Sequence, residues 1–333
     1  MRYLFLVFFI LFAGCATKEF NDKYAKEMNL KSKSDVKSLE DYTKKALTFK
    51  ELKLKYVKPT SFIDDGVRGE YVNYDINGTE LGKFKKIDKN LAVYGDKIKI
   101  FDNNKTVKLP YLVYTASKKG NLIAIVFENN GYGIYDLSQN RLVFYKKSDD
   151  AITAKYLGAK PVFYNSLILF PLLNGTIAVV DANSLKFIRN IDISDDFIID
   201  NVIYVNIVND NLIMATPKRV VLFNPNFLID YKDSIKHIID YDGYLYVFNN
   251  EGKVIKFDSN LKKIKEKDFP FASFFAPSVC RGNIYTVTSS GYLIKFTPEL
   301  NATVYKTGQF DTDAPLRIKG CKIYNQNKVF FIE

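Results

Sequence analysis

The feature that most constrains this chain is a pair of short apolar runs joined by a tight polar turn, repeated along its length. The clearest copy is Tyr241-Asp-Gly-Tyr-Leu-Tyr-Val-Phe-Asn-Asn-Glu-Gly-Lys-Val-Ile-Lys-Phe-Asp258. Its turn, Asn249 to Gly252, supplies the residues that reverse a chain, with glycine free to take positive φ. Both flanking runs are apolar at nearly every position, as strands covered on both faces require. Comparable copies lie at 283–297, 166–181 and 121–136, with weaker ones at 211–224, 90–102 and 322–332. Measured at the last residue of each second strand, the gaps are 34, 45, 43, 34, 39 and 35 residues.

Several short strands every 40 residues or so are the signature of β-propeller blades, and no 3.6-residue periodicity competes with them. An Ala/Pro marker precedes several units, at Ala159-Lys-Pro161, Ala276-Pro277 and Ala314-Pro315. Proline is tolerated there because the start of an innermost strand forfeits no ladder hydrogen bond. Seven units are legible, and residues 70–86, with an Asn77-Gly78 turn, hold a degenerate eighth. The expected fold is therefore all-β: a propeller of seven or eight four-stranded blades over residues 49–333. Leu52-Lys-Leu-Lys-Tyr56 alternates with period two. It is expected to close the ring by pairing with the C-terminal hairpin Cys321–Glu333, removing an edge that would otherwise aggregate.

Residues 1–14 read as a signal peptide. One early charge precedes an apolar run from Tyr3 to Phe12, too short to span a bilayer as a helix. The run ends in Leu11-Phe-Ala-Gly-Cys15, a bacterial lipobox with Phe12 where Leu is usual. Cys15 would then carry the acyl chains that anchor the mature protein. The alternative is an ordinary secretory signal with an incidental cysteine. Residues 15–48 follow as a charged tether with one short amphipathic helix near Ser34–Leu47; between residues 16 and 60 lie 12 Lys and 7 Asp or Glu.

The net charge is +11, but the lysines are scattered and no basic block with interleaved aromatics gathers them. No nucleic-acid partner is expected. Catalytic chemistry is equally hard to build. The single histidine, His237, sits among Ile235, Ile238 and Ile239 and reads as a strand residue. One histidine supports neither a Ser-His-Asp nor a Cys-His constellation. Gly131 and Gly133 belong to a hairpin, not a phosphate loop. The acidic cluster Asp192, Asp195, Asp196 and Asp200 lacks the glycine and terminal glutamate of an EF-hand. It reads as a solvated loop between blades or as a partner-facing patch. No metal, cofactor or enzymatic activity is expected.

Three other features are candidates for sites. The aromatic run Phe269-Pro-Phe-Ala-Ser-Phe-Phe275 either wedges neighbouring sheets together or, if exposed, offers Phe271, Phe274 and Phe275 to a partner. Cys280 and Cys321 flank the first turn of adjacent blades; a compartment outside the inner membrane permits a disulfide between them, and the alternative is two buried free thiols. Asn77, Asn104 and Asn301 each stand in Asn-x-Thr with an acidic residue two places earlier, which resembles the extended acceptor sequon of bacterial N-glycosylation. The same residues are also ordinary turn formers.

Lipobox, tether and blades of the form Pro-Val-x-x-x-(Gly/Ser)-x-(Ile/Leu)-…-Gly-x-(Ile/Leu)-x-x-(Phe/Val)-Asp resemble the PQQ-like repeat lipoproteins. Within them the chain is most similar to the BamB-type propellers of the outer-membrane β-barrel assembly machinery, and residues 314–333 resemble that family's closing blade. The blade-ending Thr-Gly-Lys turn and Trp of the family are replaced by Asn183-Ser-Leu-Lys186 and Ser259-Asn-Leu-Lys262, with no Trp anywhere. That departure argues against a quinoprotein dehydrogenase, whose cofactor stacks on Trp. The resemblance implies an eight-bladed, non-catalytic, lipid-anchored scaffold facing the periplasm from the outer membrane. Its partners would be the barrel insertase and other assembly lipoproteins. The alternatives are a propeller scaffold of another envelope complex, such as a motor or secretion system, and a binder of small ligands in the central funnel.

Overall fold

The structure is a computed structural model. It describes residues 20–22, 25–28, 30, 61–63, 66–68, 73–75, 80–151, 158–194, 200–224, 226–314, 316–325 and 328–332. The signal peptide with Cys15, the helix near 34–47, the strand at 52–56 and Asn77 lie outside the described residues.

Eight antiparallel sheets follow one another along the chain. We number them as blades 1 (61–82), 2 (85–108), 3 (113–147), 4 (162–192), 5 (204–232), 6 (235–268), 7 (278–306) and 8 (316–331). The degenerate unit foreseen at 70–86 is the outer half of blade 1. Strand order within each blade follows chain order. First strands of successive blades approach one another, as in blades 2 and 3, 4 and 5, and 7 and 8, so they lie innermost. The result is a β-propeller.

The second and third strands carry the apolar runs read from the sequence, and they are the core. In blade 6, Leu245, Tyr246, Val247 and Phe248 are fully buried, as are Val254 and Ile255 on the strand beside them. Alternate residues face opposite neighbours. Leu245, Val247 and Ile255 pack with Ile213, Ala215 and Leu222 of blade 5. Tyr246, Phe248 and Val254 pack with Ile284, Ile294 and Phe296 of blade 7. This sheet thus has two dry faces, which is why its middle strands lack polar alternation. The turns need left-handed backbone at few points; Gly252, at φ +92, is one, because a Cβ there would lie 2.1 Å from the Phe269 carbonyl oxygen.

Two departures from four strands per blade involve the chain's ends. Blade 8 has three strands among the described residues. Blade 7 has five, because Lys26–Glu27 adds in parallel to its outer strand, pairing Lys26 with Tyr305 and Glu27 with Lys306. The segment read as a tether is therefore docked along part of its length. Phe20 is buried edge-on against Phe269 and Tyr292, at centroid distances of 6.0 and 5.3 Å. The Tyr292 hydroxyl donates to Asn21 at 3.0 Å. Leu30 is buried as well, and Gln309 brackets its backbone, accepting from its N–H at 2.7 Å and donating to its carbonyl at 3.2 Å. A two-residue parallel strand has no periodicity to announce it, and a lone Phe in a lysine-rich stretch gives no pattern.

Candidate binding surface

Antiparallel order fixes which loops share a face of the ring. Turns between second and third strands, and connections from one blade to the next, emerge together; the remaining turns emerge opposite. The first of these faces carries most of the exposed apolar side chains that lie off the rim. Tyr94 ends the second strand of blade 2, and Tyr111 and Leu112 lie in the connection from blade 2 to blade 3; they are 44%, 40% and 52% exposed. Their backbones are tied together, since Val113 donates to the Gly95 carbonyl at 2.9 Å and Glu128 to that of Leu112 at 2.9 Å. Tyr111 stacks on Tyr145 at 4.9 Å and meets Phe127 edge-on at 5.6 Å, so its ring is held in place at the surface. Its hydroxyl is pushed above the usual phenol range, chiefly by hydrogen bonding with Tyr145. Phe84 lies tilted against Tyr94, with the Lys83 ammonium 5.8 Å over the Tyr94 ring.

The aromatic run after blade 6 divides. Phe271 is 56% exposed on this same face. Phe269 and Phe274 are buried between blades 6 and 7, Phe274 edge-on to Phe248 at 5.3 Å and to Phe269 at 6.0 Å. Phe275 is half-buried between blades 7 and 8. Of the three phenylalanines that would face a partner if exposed, Phe274 and Phe275 are wedges instead, because the connection dips between the sheets; Phe271 stays outside. Beside this connection a cleft of about 580 Å³ opens between Phe20, Asn21, Lys26, Asp268, Phe269 and Pro270.

Cys280 and Cys321 form a disulfide, with Cα atoms 4.9 Å apart. It joins the first turns of blades 7 and 8, where Gly320 also donates to the Ser278 hydroxyl at 2.8 Å. Of the acceptor sequons, Asn104 is exposed in a turn at φ 51, and its upstream Asp102 pairs with Lys118 at 2.9 Å. Asn301 is exposed too, but its side-chain oxygen accepts from Lys265 at 2.9 Å.

His237 lies on the innermost strand of blade 6, with Nε2 3.2 Å from the Phe274 carbonyl oxygen. Burial, reinforced by Lys236, lowers its pKa to about 4, so it is neutral near pH 7 and acts as a packed strand residue. In the acidic cluster, Asp195 and Asp196 lie outside the described residues. Asp192 accepts from the Thr176 hydroxyl at 2.9 Å; Asp200 is buried, accepts from Ser194 at 2.9 Å and pairs with Lys218 at 3.4 Å. Asp192 thus ties the two outer strands of blade 4 together, and Asp200 holds the connection that follows them. Among the described residues no three His, Cys, Asp or Glu side chains gather as a metal site.

No family model matches the chain. It is 27% identical over 271 residues to plasminogen-binding protein PgbB of Helicobacter pylori strain J99, and equally to PgbB of strain 26695. The match covers 79% of this chain and 50% and 49% of those proteins, so the chain spans about half the length of the curated relatives it matches. Among solved structures, BamB from Moraxella catarrhalis superposes with a TM-score of 0.59 at 13% identity, covering 83% of this chain and 96% of that one. The computationally designed Ika8 protein gives 0.58 at 11%, with the same coverage. The fold is a propeller of BamB type. At these identities the structural likeness speaks for architecture alone.

Proposed function

We propose that this protein is a non-catalytic, lipid-anchored scaffold of the outer membrane, facing the periplasm. On this reading it binds the outer-membrane barrel insertase through the ring face that carries Tyr94, Tyr111 and Leu112. The observation that supports it is the fixed, half-exposed aromatic cluster on that face. Tyrosine held rigid by stacking presents a large amphipathic area at little entropic cost, as residues at the centre of protein interfaces do. The lipobox ending at Cys15 and the BamB-type architecture agree with the location and the class of partner. Pull-down of the full chain from detergent-solubilised envelopes should recover the insertase. Leu112→Asp with Tyr111→Ala should lose it while the ring's melting temperature holds. An intact ring that never recovers the insertase would count against this partner.

A second reading, recognition of a host protein, is favoured by the similarity to PgbB. Surface-immobilised plasminogen is the ligand to assay. Binding by this chain in the absence of envelope partners would support that reading over the first.

A further inference from the structure

The outer strands are the rim of the ring, and an uncovered outer strand is a template for further pairing. Most of them carry charge along their length. The outer strand of blade 6, Lys263–Asp268, has lysines at 263, 265 and 267; that of blade 3, Arg141–Lys147, begins with Arg141 and ends with Lys146-Lys147; that of blade 2, Lys105–Lys108, has a lysine at each end. Blade 7 instead has its outer strand covered by Lys26–Glu27. Blade 5 has no such cover among the described residues, and its charges, Asp230 and Lys232, are confined to the second half of the strand. Its outer strand, Phe227–Lys232, opens with three consecutive apolar residues, Phe227, Leu228 and Ile229, that are 46%, 49% and 39% exposed.

We infer that this strand is a self-association edge, where a second copy of the chain pairs antiparallel about a two-fold axis through Ile229. The sequence Phe227-Leu-Ile-Asp-Tyr231 places an aromatic ring at equal distance on either side of Ile229. In that register Phe227 stands opposite the partner's Tyr231, Leu228 opposite the partner's Asp230, and Ile229 opposite its own copy. Aromatic and β-branched cross-strand pairs of this kind stabilise antiparallel sheets. Phe227, Ile229 and Tyr231 lie on one face of the strand, so both copies contribute to a single apolar strip. Tyr231 is already fixed there against Phe257 of blade 6, at 4.8 Å.

Charge selects the register. The only carboxylate of the strand, Asp230, lies on the opposite face with Leu228 and is held by Arg219 of its own blade at 2.8 Å, so a partner's Leu228 opposite it leaves that carboxylate with its counter-ion. Centring the axis on Asp230 would set that carboxylate against its own copy, and like charges directly opposite are destabilising. Centring it on Leu228 would leave Tyr231 beyond the paired strand. The flanking outer strands add one half-exposed side chain each, Ile188 of blade 4 and Ile264 of blade 6, both 50% exposed.

The test is sedimentation of the full-length chain in detergent over a range of concentrations, with cross-linking. The wild type should reach twice the mass of one chain, and Ile229→Lys should halve it while leaving the far-ultraviolet spectrum and melting temperature unchanged. Under mild oxidation Ile229→Cys should give a reducible dimer beyond the wild-type background, because facing residues in an antiparallel pair lie within disulfide reach. Ile188→Cys should give none. A wild type that stays at the mass of one chain, a dimer that survives Ile229→Lys, or cross-linking equal at 188 and 229 would each overturn the proposal. So would capture of a different envelope protein by the wild type, lost in Ile229→Lys, with no change in mass.

Discussion

The outer edges of blades 5 and 7 solve one problem in opposite ways. Both end an antiparallel sheet at the rim, and both follow two buried middle strands. On blade 7 the chain's own N-terminal segment supplies a parallel strand at Lys26–Glu27 and seats Phe20 between blades 6 and 7. On blade 5 nothing among the described residues covers Phe227–Lys232, and its first three side chains are apolar. Blade 6, between them, is guarded by lysines. A propeller ring thus closes its interior without treating its edges alike, and an edge whose uncovered half is apolar is the one available for pairing.

The largest expected effect falls on the covered side. Replacing both Cys280 and Cys321 by Ala should cost about 3 kcal/mol of unfolding free energy, since the bridge closes a long loop between blades 7 and 8. Chemical denaturation with and without reductant measures it, and an unchanged midpoint would mean that the two blades hold without the bridge. Next is Phe20→Ala. Losing that anchor should lift the strap, and amide protection at Lys306, whose backbone faces it, should fall by about a hundredfold. The outer strand of blade 5, which the strap never touches, should be unaffected. A global loss of protection would instead make the strap part of the folding core.

The third effect is set by pH and lies on the inner strand of blade 6. His237 is kept neutral in the fold, with its pKa lowered to about 4 by burial, against an ordinary value of 6.5. Its contribution is present above pH 6.5 and is lost as the pH falls toward 4, because the unfolded chain takes up the proton first. At pH 5 the loss should reach about 2 kcal/mol. His237→Gln should flatten that part of the stability profile, and an unchanged acid limb would contradict the burial argument. Smallest is Leu228→Lys. At a half-exposed site it should change stability by less than about 0.5 kcal/mol, while giving blade 5 the guarding charge that blade 6 already has. A large destabilisation would show that Leu228 is packed, and the contrast between the two edges would fail.

The parts legible in the sequence were those whose physics repeats. Second and third strands are dry on both faces, so runs such as Leu245–Phe248 and Ile123–Phe127 stand out, and their spacing gives the blades. Outer strands such as Lys263–Asp268 are solvated and carry no apolar period, so the rim was hidden, together with the contrast between its edges. Blade 1 was half-legible because its strands are only three residues long. The strap was missed because Phe20 and Leu30 act through distant partners, Tyr292 and Gln309, and not through a local pattern. The aromatic run at 269–275 was located, but which rings wedge and which face water depends on how the connection descends between sheets. The cluster of Tyr94 with Tyr111 and Leu112 was not foreseen at all. Its residues come from a strand end and a separate connection, and the shared face follows only from the strand order.

Hydrogen–deuterium exchange of the two edges, followed as the protein is concentrated, tests this account most directly. The outer strand of blade 7, Ala302–Lys306, should exchange slowly at every concentration. Residues 227–232 should exchange quickly in dilute solution and slow down as copies pair. Equal protection of the two strands in dilute solution, or an edge of blade 5 indifferent to concentration, would contradict it.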